Sequence, residues 1–152
     1  MSCIREGAVA VSACLMGTAC RYDGRSKADA RLISALAGRQ VIAFCPELAG
    51  GLPTPRLPSE IKDGRVVRSD GADVDQAYRR GTEAVLRQLR GHDVSVVVVQ
   101  PHSPACGLRR IYDGTFSGTL TEGRGVLAEA LIRAGYKVVE PSEAYALFGQ
   151  EG

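Results

Sequence analysis

Four short apolar runs punctuate the chain: Ala8 to Ala13 (AVAVSA), Val41 to Cys45 (VIAFC), Val94 to Val99 (VSVVVV) and Tyr136 to Val139 (YKVV). They are largely β-branched and nearly continuous rather than alternating, which predicts strands buried on both faces, as in a parallel sheet. Between them apolar residues recur at helical spacing. Leu32, Ile33, Leu36 and Ala37 form one stripe, Val74, Ala77, Tyr78, Val85 and Leu89 a second, and Leu127, Ala130, Leu131 and Ala134 a third. Strand alternating with helix predicts an α/β fold, a mainly parallel sheet flanked by helices in the Rossmann-like manner. Boundary signals agree: Ser26 has Asp29 three residues on, Asp73 and Gln76 have capping-box spacing, and Gly135 closes the third helix before its strand.

Two segments break this rhythm. From Pro46 to Arg68, four prolines and the pair Gly50-Gly51 exclude regular structure until Ile61 to Val67, which predicts a small hairpin about Asp63-Gly64. This Pro/Gly-rich excursion is expected to run over the sheet's edge. The second, Gly107 to Gly125, is rich in glycine and polar residues. No internal repeat is apparent, and 152 residues suit a single domain spanning 1–152.

Charge narrows the classes. Nineteen Lys and Arg face 17 Asp and Glu, so the chain as a whole does not announce a nucleic-acid or membrane-surface binder. No apolar run approaches the roughly 20 residues of a bilayer span, and the opening MSCIREGAVAVSACL is a poor signal peptide. A cytoplasmic protein without a membrane partner is expected. There the five cysteines remain thiols unless a metal or a redox reaction uses them.

Their positions point to a site. Cys14 follows the first predicted strand, Cys45 ends the second and Cys106 lies just past the third. Parallel strands place their carboxyl ends on one edge of the sheet, where open α/β sheets bind ligands. Three distant thiols can thus converge as a metal or iron-sulfur site requires, although no single loop holds a CxxC set. Buried free cysteine is also ordinary core filler. Filler has no reason to sit at strand ends, however, and these three do. Cys20 is either a fourth ligand or a resolving thiol, and Cys3 belongs to the terminus.

Other side chains share that edge. Glu47 is a candidate acid/base and Ser103 a candidate proton donor, set against the ordinary readings of a solvated carboxylate and a turn-capping hydroxyl. Arg56 is read as an ordinary surface arginine or an ion-pair partner ahead of an anion ligand. His102 suits a base or a ligand, but with only His92 as its fellow it makes no His-rich zinc site. Tyr22-Asp23-Gly24 and Tyr112-Asp113-Gly114 are either pocket walls or simple Asp-Gly turns. Phosphate-loop, dinucleotide and nucleophile-elbow motifs are all missing from the sequence.

Several blocks together resemble a bacterial family long catalogued as domain of unknown function 523, whose characterised members are thiouracil desulfidases. They are Ser12-Ala13-Cys14-Leu15-Met16-Gly17 with Cys20-Arg21-Tyr22-Asp23-Gly24, Cys45-Pro46-Glu47 with Gly50-Gly51-Leu52-Pro53-Thr54-Pro55-Arg56, Ser103-Pro104-Ala105-Cys106-Gly107, and Ile111-Tyr112-Asp113-Gly114-Thr115-Phe116-Ser117-Gly118. The resemblance covers almost the whole chain. It implies a 4Fe-4S cluster held by Cys14, Cys45 and Cys106 with one iron open, Glu47 as acid/base and Ser103 as its proton-handling partner. The implied reaction replaces the sulfur of a thiolated uracil with oxygen. Two positions depart from the family pattern: His102 stands where a Lys or Arg is expected, and Ala105 where serine is frequent.

The implied partner is a small thiolated base. No nucleic-acid binding is implied beyond a tRNA-derived substrate. Two other classes use the same cysteines: a non-catalytic metal-binding module, for zinc for instance, and a thiol redox or sulfur-transfer protein, which needs a low-pKa thiol and no iron.

Overall fold

The computed structural model describes residues 7–25 and 27–148. Strand β1 (Ala8–Ser12) runs into a 3-10 turn (Ala13–Met16), then α1 (Ala30–Ala35), β2 (Val41–Phe44) and α2 (Pro46–Ala49). A hairpin of β3 (Ser59–Lys62) and β4 (Arg65–Arg68) precedes α3 (Asp75–Arg90) and β5 (Val94–Val98). A second hairpin, β6 (Arg110–Tyr112) and β7 (Leu120–Glu122), leads to α4 (Val126–Arg133), β8 (Val138–Val139) and α5 (Pro141–Phe148).

Strands β2, β1, β5 and β8 form one sheet in that order, all parallel. Ser12 lies opposite Phe44 and Val11 opposite Val98, so β1, β2 and β5 end nearly level. Both faces are covered, as the continuous apolar runs predict. Ala8, Ala10, Val97 and Val99 pack with Val85 and Leu89 of α3 and Leu127 and Leu131 of α4, whereas Val9, Val11, Val96 and Val98 pack with Leu32, Leu36 and Phe148.

Details depart from the sequence reading. Helix α1 has fewer than two turns, too few to bury a stripe, so Leu32 and Leu36 are buried while Ile33 and Ala37 are exposed. Its cap is Asp29, whose carboxylate accepts the Leu32 N–H at 2.9 Å, and Ser26 lies outside the described residues. Asp73 does not cap α3 by a box; it accepts the Asp75 N–H at 2.9 Å, and Val74 occupies the capping position. The Gly135 stop holds, with φ of 94° and its N–H on the Ile132 carbonyl.

Within the Pro46 to Arg68 excursion, a single helical turn, α2, replaces the expected irregular chain. Proline suits its first position because the N–H it lacks has no helical partner there. The antiparallel β3–β4 hairpin turns at Asp63-Gly64 as predicted. Polar side chains along 107–125 had hidden the second hairpin, and α5 had no expectation attached. Cys3 lies outside the described residues.

One close approach positions the site. A Cβ on Gly81 of α3 would stand 1.7 Å from the Pro46 carbonyl oxygen, and one on Gly50 would stand 2.1 Å from that of Ala77. Glycine at both places lets α2 lie directly on α3.

Candidate functional site

The chain passes from β1 to β2 on one side and later places β5 on the other, so the crevice beyond β1 and β5 is a topological switch point. A cavity of about 530 Å³ opens there, lined by Cys14, Cys20, Cys45 and Cys106 together with Glu47 and Ser103. The three cysteines singled out by strand position do converge, and Cys20 joins them. All four are free thiols.

Each thiol is placed by its neighbours. Cys14, in the turn after β1, donates to Gln100 Oε1. Cys106 receives the Ser12 hydroxyl at 3.4 Å, and the same Ser12 oxygen accepts the Gln100 N–H at 3.0 Å, which ties the end of β1 to the loop after β5. Cys45 occupies the N-cap of α2. The nearby Cys14 thiol, with burial, raises the Cys20 pKa to about 11 against the opposing effect of Cys45. The Cys20 thiol and burial push Cys45 up, and burial pushes Cys106 up against the opposing effect of Ser12.

Glu47 belongs to a buried ion pair. Arg56 Nη2 lies 2.9 Å from Glu47 Oε2, with the two side chains only 6% and 16% exposed. The Tyr78 hydroxyl donates to that same oxygen at 3.1 Å. Among the described residues no hydrogen bond engages Oε1, which leaves it available to a guest. Arg56 is itself anchored: Nη1 donates to Pro53 O and Thr54 Oγ1, and Nη2 to Cys20 O. Burial opposes its charge, and Glu47 more than offsets this by charge and hydrogen bond. The arginine is therefore an ion-pair partner rather than a surface residue. Burial, then the Glu47 charge, push the Tyr78 phenol upward.

The Ser103 hydroxyl takes the turn-capping role. Its oxygen accepts the N–H groups of Ala105 (3.0 Å) and Cys106 (3.1 Å), shaping the turn that carries the thiol. Accepting those bonds leaves its own proton free to donate. His102, Tyr22 and Tyr112 also line the cavity. The sequence reading missed Gln100, Ser12 and Tyr78; Gln100 and Ser12 adjoin the strand ends in sequence, but nothing local marks Tyr78.

Among the described residues, no three Cys, His, Asp or Glu side chains are gathered tightly enough to hold one metal ion. A cubane distributes its thiolates over different irons, so its ligands ring a cavity rather than crowd one ion. The donor set, sulfur from three adjacent strand ends, fits such a cluster better than a mononuclear zinc site with four donors on one ion.

Comparison with known proteins agrees with this geometry. A family model described as 2-thiouracil desulfurase matches residues 9–143. The uncharacterized protein YbbK of Bacillus subtilis (strain 168) is 37% identical over 145 aligned residues, covering 89% of this chain and 96% of that one. A solved structure of the 4Fe-4S-dependent thiouracil desulfidase TudS superposes with a TM-score of 0.83 at 40% identity, covering 92% of this chain and 94% of the other. Among the described residues no helix is long and apolar enough to cross a membrane.

Proposed function

Because the chain belongs to the 2-thiouracil desulfurase family, we propose that it is an iron-sulfur enzyme that hydrolyses the C=S bond of a thiolated nucleobase such as thiouracil to C=O. The observation that carries this reading is the convergence of Cys14, Cys45 and Cys106 with the Glu47 carboxylate around one cavity. Those three thiols would hold a 4Fe-4S cluster. When bound, it supplies an iron open to sulfur, a Lewis acid toward the thione.

The chain's own residues handle water and protons. Glu47, fixed through Oε2 by Arg56 and Tyr78, presents Oε1 to a water molecule and takes its proton as the oxygen attacks the thione carbon. Ser103 gives its proton to the departing sulfur and regains one from the hydroxyl of the adduct as that collapses to the carbonyl, while Glu47 passes the proton it took to the released sulfide. Thione and water give carbonyl and hydrogen sulfide, with no net oxidation or reduction. A base, a nucleoside and a tRNA-derived fragment all carry the required thione. Free thiols suit the reducing cytoplasm, where we place the protein.

Anaerobic reconstitution with iron and sulfide tests the reading. About four irons per chain, as in one cubane, and release of uracil and sulfide from 2-thiouracil are expected. Serine at Cys14, Cys45 or Cys106 should abolish iron binding, and Cys20→Ser should retain most of it. Loss of iron from Cys20→Ser but not from one of the three would overturn the ligand assignment. An intact cluster that turns over no thiolated base would overturn the activity.

A further inference from the structure

Among the described residues six large apolar side chains remain exposed, and three of them, Tyr22, Tyr112 and Phe116, line the cavity. Apolar surface left in water around a cleft marks contact with a ligand.

Phe116 shows the most deliberate placement. Its φ is 57°, in the left-handed region that a bulky side chain rarely enters. The surrounding hydrogen bonds hold it there. Glu60 of β3, buried at 9% exposure, accepts the N–H of Gly114 at 2.9 Å and that of Phe116 at 3.1 Å through one oxygen. Asp113 accepts the Thr115 N–H at 3.0 Å and its hydroxyl at 2.6 Å. Hydroxyl contacts then link Thr115 to Ser117 at 2.6 Å and Ser117 to Thr119 at 2.9 Å. A buried carboxylate and a strained backbone thus fix the loop, yet the ring they carry stays 37% exposed. Packing would call for a buried ring; this one is held open at the cavity wall. Tyr112, on the same hairpin, stands edge to face with His102, ring centroids 6.1 Å apart and planes at 69°.

We infer that Phe116, with Tyr112, is a stacking platform for the planar ring of the substrate, which makes the site select heterocyclic thiones over open-chain thioamides. The inference rests on the proposed desulfuration for the identity of the thione, and on the loop geometry for the ring. Every pyrimidine presents a π-face, and stacking on an aromatic side chain needs no particular hydrogen-bond pattern.

The chain contains no tryptophan, so Phe116→Trp installs a unique fluorophore at the platform. Titrating the reconstituted variant with uracil and with 2-thiouracil should quench its emission saturably. Phe116→Gly should raise KM for 2-thiouracil by roughly 5- to 150-fold, the range one stacked base is worth, with kcat little changed. Thioacetamide, a thione without a ring, should already be a poor substrate of the parent, and Phe116→Gly should narrow the gap in kcat/KM between it and 2-thiouracil. Absence of saturable quenching, or an unchanged KM in Phe116→Gly, overturns the platform. Saturable quenching by uracil in a protein whose parent turns over no thione overturns the desulfuration reading and leaves the platform standing.

Discussion

Replacing Glu47 by glutamine removes a charge from two partners at once, and the geometry separates the consequences. Glutamine keeps an oxygen that can still accept from Arg56 and Tyr78, but the guanidinium, only 6% exposed, loses its counter-charge. Removing one partner of a buried pair costs about 3–5 kcal/mol, and the retained hydrogen bonds favour the lower end. For a chain of this size each kcal/mol shifts the unfolding midpoint by about 2–4 °C. A fall of roughly 6–12 °C is therefore expected for the cluster-free protein, followed by far-ultraviolet circular dichroism. Turnover, measured well below that midpoint and normalised to bound iron, should fall by about 10²–10⁴, the usual loss for a positioned acid/base.

Instability alone can lower apparent activity, so the double variant Glu47→Gln with Arg56→Met is decisive. It removes the orphaned charge but also the bonds from Arg56 to Pro53 O, Thr54 Oγ1 and Cys20 O, so only part of the lost stability should return. Turnover should not. A Glu47→Gln enzyme with near-normal turnover per iron would refute the carboxylate as base, whatever its stability. The pair itself is isolated by adding Arg56→Met alone: if the two single losses simply add in the double variant, the buried pair is refuted as the origin of the loss.

Two further outcomes follow from the same site. Ser103→Ala, compared per bound iron because the hydroxyl also shapes the turn that carries Cys106, should lose most of its turnover, while Ser103→Thr, which keeps the hydroxyl, should recover a substantial part; equal activity per iron in all three proteins rules out a proton-handling role. Gly81→Ala should lower stability by about 1–3 kcal/mol as an overpacked contact, although helix propensity alone favours alanine by about 1 kcal/mol, and it should depress turnover without loss of iron, read by melting and by rate per iron.

The thiol site was legible because parallel pairing turns strand order into position. Once Cys14, Cys45 and Cys106 follow three parallel strands, their shared edge is a consequence of the sheet, and no long-range contact has to be guessed. Glu47 was legible for a related reason, since it sits two residues past Cys45 and cannot be far from that edge. Tyr78 behaves differently. The contact of Tyr78 with Glu47 depends on α2 lying on α3, and that packing depends on Gly50 and Gly81. In the sequence Tyr78 reads only as one member of an apolar helical stripe, which it also is.

Phe116 was hidden by another route. The segment around it is polar and glycine-rich, the signature of a turn, and the sequence reads it as one. What distinguishes it is Glu60, more than fifty residues earlier on a different hairpin, whose carboxylate fixes the loop from beneath. The line between the legible and the hidden thus follows the physics of each contact. Chemistry fixed to strand ends is inherited from the sheet, whereas the groups that orient a carboxylate or hold a ring in place depend on packing between elements distant in sequence. Variants of the two kinds should behave accordingly: losing a strand-end thiol removes the cluster, whereas losing Tyr78 or Phe116 leaves it intact and alters what is done with it.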